Sequence, residues 1–101
     1  MKTYIQLEPT YKKNGYDYTL VDRKGDVCIF SQESEGRVIA YEVFEVNKNE
    51  DREVFGKFFP ASESVPPTTQ WGTNAFTVWN LERAYEMQEI ILNKITQRLT
   101  A

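Results

Sequence analysis

The chain has 101 residues, no His, one Cys and a net charge of -3, from 12 Lys and Arg against 15 Asp and Glu. That length fits one domain spanning residues 1–101, and such a chain buries about two-thirds of its unfolded surface without needing staples. Without His, the Ser-His-Asp and Cys-His triads and the common zinc sites are excluded, and a lone Cys closes no internal disulfide. A cytoplasmic location is therefore expected, and the mildly acidic balance disfavours a dedicated nucleic-acid binder.

No window approaches the roughly 18 apolar residues of a membrane helix, and residues 1–8 lack the apolar run of a signal peptide. No membrane partner is expected. Hydrophobic content of 41%, with 14% aromatics, is that of a globular chain.

In chain order, Thr3, Ile5 and Leu7 alternate with Tyr4, Gln6 and Glu8 at a period of two, which predicts a strand. Lys12-Lys13-Asn14-Gly15 reads as a turn, because Asn-Gly accepts positive φ cheaply. Tyr16, Tyr18 and Leu20 predict a second strand, and Lys24-Gly25 another tight turn. The continuous run Val27-Cys28-Ile29-Phe30 predicts a strand covered on both faces. A polar turn around Gly36 leads into the strongest strand, Val38 to Val46. There Ile39, Tyr41 and Val43 face one way, and Ala40 and Phe44 the other. Residues 47–51 read as a polar turn, and Val54 to Phe59 as a strand with Gly56 at a bulge or close approach.

Residues 61–74 differ in kind. They carry Pro66-Pro67, Ser, Thr and Gly72 with little periodicity, as a functional crossover loop does. Residues 75–79 read as a short strand or an approach to the helix. The helix follows, with Asn80 as N-cap and Glu82 in the first turn. Leu81, Ala84, Tyr85, Gln88, Ile91, Leu92, Ile95 and Leu99 share one stripe at 100° per residue. The expected fold is α+β: an antiparallel meander of four to six strands within 1–60, the loop 61–74, and a short strand and long C-terminal helix over 75–99 packed on the sheet. Its core is expected from Leu20, Ile29, Phe30, Tyr41, Val43, Phe55, Trp79, Tyr85, Ile91, Leu92 and Ile95.

Few residues suggest chemistry. Cys28, between Val27 and Ile29, reads as a small buried hydrophobe rather than a thiolate. No Gly-rich phosphate cradle or metal-ligand spacing is present, and no cofactor is expected. Carboxylates concentrate between residues 31 and 53, where seven acids against three bases leave -4. They alternate along strands and turns as solvated faces do, and Glu33, Glu35, Glu50 and Asp51 are candidates for a partner-binding acidic edge. Gln70-Trp71-Gly72 stands out on the long loop, with Trp71 either a core anchor or an exposed hot spot. Ile90 lies on the polar side of the helix, where an isolated exposed apolar residue is ordinary; alternatively, with Met87 it extends the stripe into a second contact for a partner or a symmetry mate. Tyr11, Lys12, Lys13 and Tyr16 interleave bases with aromatics, the alternative pattern for binding single-stranded nucleic acid.

Tyr41-Glu42-Val43, Gly56-Lys57, Pro60 with Glu63, Pro66, Gln70-Trp71-Gly72, Phe76-Thr77, Leu81-Glu82 and Ala84 together carry a resemblance. Over residues 16–90 the chain resembles small, mostly uncharacterised accessory proteins of phages and prophages, although Phe76 stands where Trp is more usual. The resemblance transfers no catalytic residue. It implies a phage protein in the host cytoplasm that binds and inhibits, or redirects, a host protein such as a defence factor. The reading that follows is a non-enzymatic protein-binding module, as monomer or homodimer. The alternatives are a single-stranded nucleic-acid-binding accessory protein and, least favoured, a small carboxylate-based enzyme.

Overall fold

A computed structural model describes residues 3–100; Met1, Lys2 and Ala101 lie outside the described residues. Among the described residues, nine strands and one long helix follow in chain order: β1 (Thr10–Lys13), β2 (Tyr16–Lys24), β3 (Val27–Ser34), β4 (Arg37–Glu45), β5 (Asn47–Asn49), β6 (Arg52–Val54), β7 (Lys57–Phe59), β8 (Ser62–Ser64), β9 (Ala75–Val78) and α1 (Leu81–Thr100). The fold is α+β. Five strands form one antiparallel sheet in the order β1-β2-β3-β4-β9, and α1 packs on it. Among the described residues, no helix is long and apolar enough to cross a membrane.

Tight turns set the meander. Asn14-Gly15 and Glu35-Gly36 are two-residue loops with both residues at positive φ, the mirror-image geometry that matches the strand twist. Two bulges interrupt the ladders, one leaving Val21 unpaired and the other Ile39. Both side chains are exposed, so Ile39 does not face inward with Tyr41 and Val43 as strict alternation would have it.

Both faces of the sheet are covered. On one, Val27, Ile29, Val43 and Val78 meet Ala84, Met87 and Ile91 of α1. Gln88 is 1% exposed and donates to the Val27 carbonyl (3.2 Å) and to Asp22 Oδ2 (3.3 Å), which pins the helix over the β2–β3 turn. On the other face, Tyr18, Cys28, Phe30, Phe44 and Val46 are covered by Leu7, Val65 and Trp71. The unbroken burial of Val27 to Phe30 follows from this double cover. Asn80 Oδ1 accepts the Arg83 N–H at 2.8 Å and caps α1 as expected.

Three residues expected in the core lie elsewhere. Tyr85 is exposed, with Lys24 Nζ 6.0 Å from its ring centroid. The buried stripe runs through Ala84, Met87, Gln88 and Ile91, rotated so that Met87 is core and no second contact beside Ile90. Trp79 is 77% exposed, because it follows the last rung of the edge strand, Tyr41 opposite Val78. Phe55 is fully exposed at a hairpin turn.

That hairpin corrects the reading of residues 47–64. Instead of a polar turn, a strand and a loop, they form an arm outside the main sheet. Asn47 faces Ser64 at its root and Val54 faces Lys57 at its tip. The register runs without a slip, and the ladder is broken opposite Pro60, which has no N–H to give. Phe55-Gly56 is the turn, at φ +50° and +77°. A partly buried ion pair fixes the root. Arg23 reaches both oxygens of Glu63, at 2.7 and 2.8 Å, and the Leu7 N–H donates to Glu63 at 3.1 Å. Lys48 pairs with Asp26 at 3.1 Å. Among the described residues, the segment read as a first strand, residues 3–8, makes a single parallel bridge, Ile5 to Ser62, because its neighbour β8 is three residues long.

Candidate functional site

Trp71 is placed by the loop that covers the second face. Pro67 precedes one turn of 3-10 helix, Thr68–Gln70, which ends with the Trp71 N–H on the Thr68 carbonyl at 3.1 Å. Gly72, at φ +92°, then turns the chain so that its N–H meets the Ala75 carbonyl at 2.7 Å. The Trp71 indole N–H donates to Thr77 Oγ1 (3.1 Å), and its ring lies 6.4 Å from Phe44. Trp71 is thus half-buried: one side anchors the loop and the other lines a cleft.

That cleft, of about 230 Å³, is lined by Lys13, Asn14, Tyr18, Glu42, Thr68 and Trp71. It joins two clusters that the sequence kept apart, the Trp71 loop and the basic first hairpin. Its floor is Tyr18 and Glu42. Glu42 stands directly across from Phe30 in the β3–β4 ladder, on the aromatic face of the sheet. Burial pushes its carboxyl above the usual range, while Lys13 and a hydrogen bond from Tyr18 pull it back. Gln32 Nε2 donates to the Tyr18 hydroxyl at 3.1 Å, and burial raises that phenol. Tyr11 stacks on Tyr18 at 4.7 Å and meets Phe30 edge-on at 5.1 Å. Among the described residues its buried hydroxyl has no hydrogen-bond partner, and burial followed by the Glu42 charge raises its pKa strongly.

The cleft presents an indole face, a cation and an anion within one small volume. Those groups suit the grip of a single polar or charged side chain. Cys28 is not part of it; burial pushes that thiol up to about 11. Among the described residues, no three His, Cys, Asp or Glu side chains converge.

The other sequence candidates are scattered. Gln70 lines a separate polar cavity with Asn74 and Arg98. Glu33 accepts from Ser31 at 2.9 Å, and Glu35 occupies the β3–β4 turn. Glu50 accepts from the Tyr4 hydroxyl at 2.7 Å on the arm, where Asp51 also lies. Ile90 is exposed on α1, which covers the other face of the sheet. Lys12 pairs with Asp17 at 3.5 Å, and Tyr16 packs into the second core cluster. Glu42, which the sequence reading left in a solvated acidic face, is the residue it missed as a site. The signal was present, since Glu42 shares its parity with Ala40 and Phe44. No protein-family model, curated protein or solved structure matches this chain.

Proposed function

We propose that the chain is a non-enzymatic protein-binding module that grips one side chain of its partner in the Trp71 cleft. The observation that supports this is the convergence of Trp71, Lys13 and Glu42 around a volume of about 230 Å³. This suits a side chain better than a metabolite, because ligand pockets usually enclose about 300–1,000 Å³. Together with the resemblance to phage accessory proteins, the reading becomes a mobile-element factor that engages a host protein in the cytoplasm and inhibits or redirects it.

Capture from host lysate with the full chain tests it. The expected result is a stoichiometric protein retained by the wild type and lost with Trp71→Ala and with Glu42→Gln. Equal retention by both variants overturns the cleft as the contact. Lys13 and Trp71 on one cleft also favour a second reading, stacking of a nucleobase from a single strand. A salt-sensitive gel shift abolished by Lys13→Ala supports that reading, and its absence at low salt dismisses it.

A further inference from the structure

The floor of the Trp71 cleft holds a carboxylate that the chain itself does not pair. Glu42 is half-buried on the aromatic face of the sheet. Among the described residues, neither Glu42 nor Lys13 closes an ion pair. The Tyr18 hydroxyl serves Glu42 as a donor, and Lys13 acts on it through space. A carboxylate has about four acceptor sites, so most of its capacity stays open to the cleft.

The neighbouring donors are already committed. Gln32 Nε2 donates to the Tyr18 hydroxyl at 3.1 Å, and the Trp71 indole N–H donates to Thr77 Oγ1 at 3.1 Å. With its polar edge occupied, Trp71 has its ring face left to offer. An indole face attracts cations through its quadrupole, and Glu42 attracts them through its charge. The two pulls therefore select the same sign. An anion would meet Glu42 head-on, and an apolar side chain would bury Glu42 further without pairing it. Among cations, a guanidinium satisfies both groups at once. It is planar enough to stack on the indole, and its N–H fork matches a carboxylate, whereas an ammonium is a strongly hydrated point charge.

We infer that the side chain held in the cleft is an arginine of the partner protein, its guanidinium stacked on Trp71 and donating to Glu42. This rests on the reading of the cleft as a side-chain grip. A volume of about 230 Å³ admits the guanidinium and the end of its stem. Lys13, exposed at the rim, opposes the incoming charge and keeps the affinity of an isolated side chain low.

Titration of the isotope-labelled full chain with N-acetyl-arginine methylamide, followed by NMR at the indole N–H groups, tests it. The Trp71 resonance is expected to move with a dissociation constant of about 1–10 mM, while that of exposed Trp79 stays in place. The capped lysine analogue binds about tenfold more weakly, and the capped glutamate analogue leaves Trp71 unmoved. Glu42→Gln weakens the arginine probe at least about tenfold, and Lys13→Ala tightens it about threefold by removing a like charge. An unmoved Trp71, an equal response to the lysine or glutamate analogue, or weaker binding by Lys13→Ala overturns the inference. Lysate capture separates this from the broader reading. A captured protein lost with Trp71→Ala and Glu42→Gln, beside an arginine probe that does not bind, keeps the grip and removes the arginine. A probe that binds beside captured proteins indifferent to both substitutions removes the grip, and the partner's arginine with it.

Discussion

The sheet and the arm are built from the same local parts and end in different physical states. Both use two-residue turns with Gly second and both residues at positive φ, and both keep antiparallel register. In the sheet, α1 closes one face and the 65–71 loop with Leu7 closes the other. The outer arm has neither cover, and its residues 50–58 are all exposed. Local sequence thus suffices to form a hairpin, but only tertiary cover turns its apolar residues into core.

Charge placed in each region tests this contrast most severely. Ile91→Asp puts an unpaired carboxylate into the helix–sheet core, costing several kcal/mol against a total of about 5–15 kcal/mol. Loss of the cooperative melting transition is expected. Phe58→Asp at the tip should change monomer stability by less than about 0.5 kcal/mol. Equal effects in calorimetry would mean that the arm is buried after all.

The root joins the two regions, and the next largest effect is expected there. Glu63→Ala removes the bidentate partner of Arg23 and should cost about 2–3 kcal/mol, below the range for fully buried pairs because Arg23 keeps some solvent and retains Asp26 at 3.3 Å. Its pH dependence has a definite sign. The Arg23 hydrogen bond, set against a smaller burial penalty, holds the Glu63 carboxyl below its ordinary range. That stabilisation is full above the unfolded pKa, about 4.3, and is lost as pH falls through the folded value. Glu42 has the opposite sign, since burial raises its carboxyl. Its charged form costs stability at neutral pH, and the cost fades as pH falls through the raised value toward about 4.3. Glu63→Gln should therefore lower the melting midpoint at pH 7 and matter less in acid. Glu42→Gln should raise it at pH 7, with the gain vanishing in acid. Melting both variants across the acid range checks the pair of signs.

What the sequence made legible follows the same division. Asn14-Gly15, the doubly buried run Val27 to Phe30 and the Asn80 cap were readable because each is encoded within a few neighbouring residues. The arm was misread because its turn carries Phe, which has no turn preference, so Gly56 looked like an irregularity within a strand. Trp79 and Tyr85 were misplaced because period and hydrophobicity do not reveal where a sheet edge ends. The Trp71 cleft depends on bringing residue 71 to residue 13, a distance in sequence that no local pattern spans. Glu42 was hidden more simply: its parity was visible, but a carboxylate among acids reads as surface until its neighbours across the sheet are known to be aromatic.

The smallest expected effect is the sharpest test of why the arm ends as it does. Phe55→Asn, measured where the chain is monomeric, replaces a strained residue by one that tolerates the left-handed region, and should stabilise the monomer by up to about 1 kcal/mol. The sheet provides the control. Glu35→Asn at its Glu-Gly turn relieves a nearly equal φ of +51° and should stabilise by a similar amount. If both gains appear in denaturant melts, the strain at Phe55 is ordinary in size, and a Phe persists there for a reason outside the monomer's own stability. If Phe55→Asn destabilises while Glu35→Asn stabilises, the ring has a partner within its own chain, and the contrast between a covered sheet and an uncovered arm fails at the tip.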